Sequence, residues 1–132
     1  MLTFAMPSHL DFSVTDVEAS ATWYAEVFGL KRLKRVDLDN RSVVMLVHPD
    51  THLIFGLNQH SVIPVTTFDE RSVGLDHIGF AVQNREDLDA WQEHLAALNV
   101  VHSPAQDTPN GAALVFRDPD NTQLEFWWTR PR

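Results

Sequence analysis

The sequence predicts an α+β fold built from two copies of one βαβββ unit, and three observations carry that expectation. An offset of 68 residues lays 8–30 over 76–98 without a gap: His9 falls on His77, Phe12 on Phe80, Val14 on Val82, Trp23 on Trp91, Leu30 on Leu98, and Asp16 on Asn84. A match that pairs two tryptophans and two histidines marks an internal repeat, which constrains the whole architecture before any local reading. Each copy also opens on strand-like alternation and passes into helix-like spacing. Finally, the turns His48-Pro49-Asp50 and Asp118-Pro119-Asp120 occupy equivalent places, extending the repeat to the end of each copy.

The first copy begins at 9–14, where Leu10, Phe12 and Val14 share one strand face and His9, Asp11 and Ser13 the other. A helix follows. Thr15-Asp16-Val17-Glu18 reads as a capping box, with Thr15 as the cap and Glu18 reaching back. Val17, Ala21, Tyr24 and Phe28 then recur at helical spacing until Gly29 supplies the stop. Strands are expected at about 31–37, 42–47 and 52–57, with Asp39-Asn40 as a turn. In the second copy Ile78, Phe80 and Val82 alternate with His77, Gly79 and Ala81. Asn84 opens a helix whose apolar stripe is Leu88, Trp91, Leu95 and Leu98. Strands follow at about 100–103, 112–117 and 122–128. By this spacing both helix tryptophans belong to the core. The histidine faces carry small or polar neighbours, which suits a sheet surface lining a cavity better than a filled core. The boundaries are module one at about 6–58, a connector at 59–74 and module two at about 75–129, within a single domain spanning 1–132. The polar stretch 104–111 is a candidate lid.

A chain of 132 residues buries roughly two thirds of its unfolded surface as one domain, whereas either half alone would be marginal. A formal net charge of -8 argues against nucleic acid or an anionic membrane as partner, since both need a basic face. No apolar run approaches the roughly 20 residues of a membrane span, and the first residues lack a signal-peptide pattern. The absence of cysteine excludes disulfides, thiolate zinc sites and cysteine nucleophiles together. A cytoplasmic location is expected.

Several stretches together resemble the vicinal oxygen chelate superfamily, the glyoxalase, bleomycin resistance and extradiol dioxygenase group. They are the His9 strand with Thr15-Asp16, then Trp23-Tyr24 and Phe28-Gly29-Leu30, then Asp76-His77-Ile78-Gly79-Phe80. Phe116-Arg117-Asp118-Pro119-Asp120-Asn121, leading to Leu124-Glu125-Phe126, completes the set. The resemblance covers nearly the whole chain. It implies a cupped mixed sheet around a central cavity, a homodimer, and a divalent metal held by His9, His77 and Glu125. Within Leu-Glu-Phe-Trp-Trp a lone carboxylate is expensive to bury unless a cation pairs with it. The family's fourth ligand position falls, on alignment of the two Pro-Asp turns, at Ile54 or Phe55, neither of which can bind metal. Two histidines and one carboxylate leave coordination positions open and suit Fe(II), Mn(II), Ni(II) or Zn(II).

The function this implies is a metal-dependent enzyme acting on a small, oxygen-bearing organic substrate, with dioxygenase-like chemistry first among the choices. Extradiol cleavage generally needs an acid–base partner, often a tyrosine, and the only tyrosine is Tyr24. Fosfomycin-modifying members need cationic groups, and the expected cavity strands show no basic cluster. Asp11 and His52 are candidates for proton transfer, set against a reading of both as solvated polar residues. Ser13, Gln123 and Trp127 would line the substrate pocket. The competing reading is a metal-free protein of the bleomycin resistance type that sequesters a drug or antibiotic, in which His9, His77 and Glu125 hydrogen-bond one another.

Overall fold

The computed structural model describes residues 1–132 and divides into two compact units, Met1–Thr66 and Thr67–Arg132. The first contains β1 (His9–Ser13), α1 (Val17–Phe28), β2 (Lys31–Asp37), β3 (Arg41–Val47) and β4 (Ile54–His60). The second contains β5 (Ile78–Ala81), α2 (Arg85–Ala97), β6 (Gln106–Asp107), β7 (Gly111–Arg117) and β8 (Gln123–Thr129). Each unit holds one four-stranded mixed sheet, in the orders β1-β4-β3-β2 and β5-β8-β7-β6. In each, the first and last strands of the unit pair in parallel and the other pairs are antiparallel. The α+β class and the repeated βαβββ order stand. No helix is long and apolar enough to cross a membrane.

The helix starts coincide at the repeat offset, with Asp16 and Asn84 as the N-caps. Asn84 forms the reciprocal box with Asp87, whereas the cap of α1 is Asp16, one residue after the Thr15 expected from the sequence. Asp16 itself accepts from the Ala19 N–H at 3.0 Å, and Glu18 turns outward to grip Arg32 and Arg35 of β2. Gly29 ends α1 in the left-handed region at φ 69, which a side chain would resist.

Each helix lies on one face of its own sheet, and the alternation decides which face. Val17, Ala21, Tyr24 and Phe28 are buried with Phe12, Val44, Leu46, Phe55 and Leu57. Tyr24 stacks on Phe28 at 5.8 Å and leans on Phe12 at 5.1 Å. Trp23 packs edge-on against Tyr24 at 4.8 Å, and Trp91 stacks on Phe126 at 4.1 Å, so both tryptophans serve packing. Leu88, Leu95, Leu114 and Leu124 are fully buried, each worth about 1.5–3 kcal/mol against exposure. Leu98 leaves the stripe to become the exposed C-cap of α2. The opposite face of β1, with His9, Asp11 and Ser13, stays exposed.

Three expectations shift. The strand expected from 52 begins at Ile54, because His52 turns left-handed at φ 62. The strand expected at 100–103 is only an isolated bridge from His102 to Phe116, and Pro104, with no N–H, cannot extend it. The candidate lid is fastened: Asp107 accepts from Arg85 at 3.0 Å, and the Ala105 N–H donates to Gln92 at 2.9 Å. The connector is divided as well. Its later residues belong to the second unit, where the Phe68 N–H donates to the Asp120 carbonyl at 2.8 Å.

Candidate metal centre

In module two, β5 and β8 run parallel with Gly79 opposite Glu125. The glycine leaves room for the carboxylate, since a Cβ there would sit 3.0 Å from Glu125 Oε1. His77, the residue just before β5, brings Nε2 to 3.5 Å from the same oxygen. Its other nitrogen, Nδ1, lies 2.7 Å from Asp76 Oδ1. Asp76 is held in turn by Gln123 Nε2 at 3.1 Å, and Gln123 Oε1 accepts from Arg117 Nη2 at 3.1 Å. Arg117 closes the run on Glu70 at 2.7 Å. The charges order themselves accordingly. The hydrogen bond that His77 donates to Asp76 raises the His77 pKa, Glu125 adds to it, and partial burial opposes. Glu70 is held down to about 2 by the Arg117 guanidinium. Trp127 walls a shallow hollow with Gly79, Ala81 and Glu125, and its Nε1 donates to Thr129 at 2.9 Å.

In module one, His9 opens β1 with Nδ1 2.8 Å from Ser8 Oγ and Nε2 3.8 Å from Asp11 Oδ2. Both lie in a hollow with Ser8, Arg41, Val43, Met45, Ile54 and Asn58. Arg41 is the residue that sequence reading missed. Its Nε is buried without a hydrogen bond, so a cation faces this hollow with donor capacity unspent. Only the pairing of β3 with β4 brings it there, at the far end of the hairpin from the Pro49 turn. Ser13 is exposed on the His9 face, and His52 sits in the turn before β4, outside that hollow.

The register also corrects the fourth family position. Asp11 pairs with Gly56 as Gly79 pairs with Glu125, so the counterpart of Glu125 is Gly56 and not Ile54 or Phe55. The turn after Pro49 carries one residue more than the turn after Pro119, which displaces an alignment made on the turns.

Neither unit alone gathers three metal-binding side chains. The donors nonetheless fit a divalent ion. Two donors each about 2.1 Å from one ion lie about 3.0–3.4 Å apart, close to the His77–Glu125 separation of 3.5 Å. A carboxylate on the far ring nitrogen is also the arrangement that orients metal-binding histidines. Within module two, His77 and Glu125 could hold such an ion, and His9 stands at the matching place in module one.

Comparison with known proteins agrees with this fold. A domain from Frankia sp. EAN1pec described as glyoxylase/bleomycin resistance protein/dioxygenase is 36% identical, with TM-score 0.89, over 97% of this chain and 100% of that one. The metallothiol transferase FosB of Lysinibacillus sphaericus (strain C3-41) is 28% identical over 127 residues, 95% of this chain and 83% of that protein. A fosfomycin resistance protein, FosX, of Listeria monocytogenes, solved with Mn(II) and 1S,2S-dihydroxypropylphosphonic acid, shares 18% identity and TM-score 0.72 over 97% of this chain and 95% of its own. The family model described as Glyoxalase/Bleomycin resistance protein/Dioxygenase superfamily matches residues 7–126, and the chain belongs to that superfamily.

Proposed function

We propose that this protein is a divalent-metal-dependent enzyme acting on a small, oxygen-bearing organic substrate, with His9, His77 and Glu125 as the metal ligands. The observation that carries the reading is the His77–Glu125 pair, set over a glycine and steered by Asp76. When bound, the ion supplies Lewis acidity to substrate oxygens. The chain's own residues do the rest. Asp76 keeps the His77 ring turned so that Nε2 stays available. In module two Trp127 offers an aromatic wall to a carbon skeleton, and in module one Arg41 offers a cation to an anionic group.

Group transfer to the substrate is favoured over oxygen-dependent ring cleavage. Tyr24, the one phenol, is fully buried on α1 among Phe12, Phe28 and Phe55, so it does not reach the exposed sheet face. A metallothiol transferase among the relatives, and a phosphonate with Mn(II) bound to a protein of the same fold, support the same direction. The Trp127 hollow keeps a metal-free binder as the second reading. Turnover of small epoxides with a thiol co-substrate, and of catechols, with Mn(II) or Fe(II) before and after chelation, separates the two. We expect chelator-sensitive turnover that His77→Ala abolishes with the fold intact. A His77→Ala protein that keeps full ligand affinity, with no turnover by the wild type under either metal, would contradict the enzyme.

A further inference from the structure

We propose that Asp11 is a metal-binding carboxylate, the counterpart in module one of Glu125 in module two, supplied from the other strand of the same parallel pair. The proposal rests on the metal-dependent reading above and adds a donor which that reading lacks.

The two modules present the same parts with one exchange. In module two the order is His77 and then, two residues on, Gly79, with Glu125 opposite on β8. In module one it is His9 and then, two residues on, Asp11, with Gly56 opposite on β4. Carboxylate and glycine have traded strands, while the carboxylate stays within reach of histidine Nε2, at 3.8 Å in one module and 3.5 Å in the other. Both histidines engage Nδ1 with the side chain just before them, Ser8 at 2.8 Å and Asp76 at 2.7 Å, which leaves Nε2 on the carboxylate side.

In each pair the carboxylate lies over the glycine opposite it. A Cβ built on Gly56 would overlap Asp11 Oδ1, and its three nearest atoms all belong to the Asp11 side chain. Asp11 therefore fills the space that a β4 carboxylate would occupy. Arg41 shares the hollow without pairing to Asp11, so the carboxylate is not committed to the cation beside it.

Chemically, a carboxylate beside an imidazole is a hard anionic donor that suits a divalent ion.

The test is Mn(II) titration of the full-length protein followed by the EPR signal of free Mn(II), on wild type, Asp11→Asn, Asp11→Gly and the double variant Asp11→Gly/Gly56→Glu. Circular dichroism serves as the fold control. Asp11→Asn and Asp11→Gly should weaken Mn(II) by at least the roughly 10–100-fold that losing an outer-shell partner costs. The double variant, which rebuilds the module-two arrangement in module one, should recover most of that loss. Folded Asp11→Asn that binds Mn(II) like wild type would overturn the proposal. So would a folded double variant no tighter than Asp11→Gly. Wild type that takes up no metal overturns the underlying reading instead, a distinct result visible before any Asp11 variant is made.

Discussion

At the scale of single residues, the module-two site is a line of side chains each positioned by the next. Asp76 is the informative member, because it touches His77 and Gln123 but lies outside the proposed ligand set. Asp76→Ala should weaken Mn(II) roughly 10–100-fold with little change in melting temperature. Isothermal titration calorimetry checks this, and unchanged affinity would show that the ring needs no such anchor. The repeat alone pairs His9 with His77, and Glu125 joins them only through the family resemblance. The Asp11–Gly56 exchange was not legible, since it depends on which residues face each other across two strands more than 40 residues apart in sequence. Periodicity placed Asp11 on the right face, and only register shows what lies opposite. Arg41 escaped for the same reason, being a strand-start residue whose relation to His9 exists only once β4 lies between β1 and β3.

At the scale of elements, the two N-caps divide sequence reading from outcome. Thr15 and Asp16 are both good caps by type, and only the backbone decides which one closes the helix. Asp16→Ala should cost about 1 kcal/mol. Urea denaturation checks this, and an unchanged midpoint would show that Asp16 does not close the helix. Core positions were readable wherever the pattern was long. Leu114 is fully buried on β7 under α2, so Leu114→Ala should cost about 2–5 kcal/mol in the same assay. The short edge was unreadable. Residues 100–103 carry strand-like apolar residues, but Pro104 cuts the ladder, and the edge strand shrinks to Gln106–Asp107 held by its ties to α2.

For the molecule as a whole, the repeat gives each half its own helix-covered sheet, and residues after Thr66 are drawn into the second half by Phe68 and Glu70. The Glu70–Arg117 pair has a pH signature. Its folded pKa is about 2 against an ordinary 4.5, so its stabilisation is complete above about 4.5 and is lost as pH falls through 2. Wild type should therefore melt above Glu70→Gln at neutral pH, with the gap closing between those values. A gap that persists below pH 2 would assign the effect to something other than the ion pair. The proposed role of both histidine strands is to hold metal, and metal content is the measurement that decides it. Untagged protein should carry about one divalent ion per chain by mass spectrometry, lost in both His9→Ala and Glu125→Ala with the fold retained. No ion bound after Fe(II), Mn(II), Ni(II) and Zn(II) are each offered, or an ion that survives both substitutions, would contradict it.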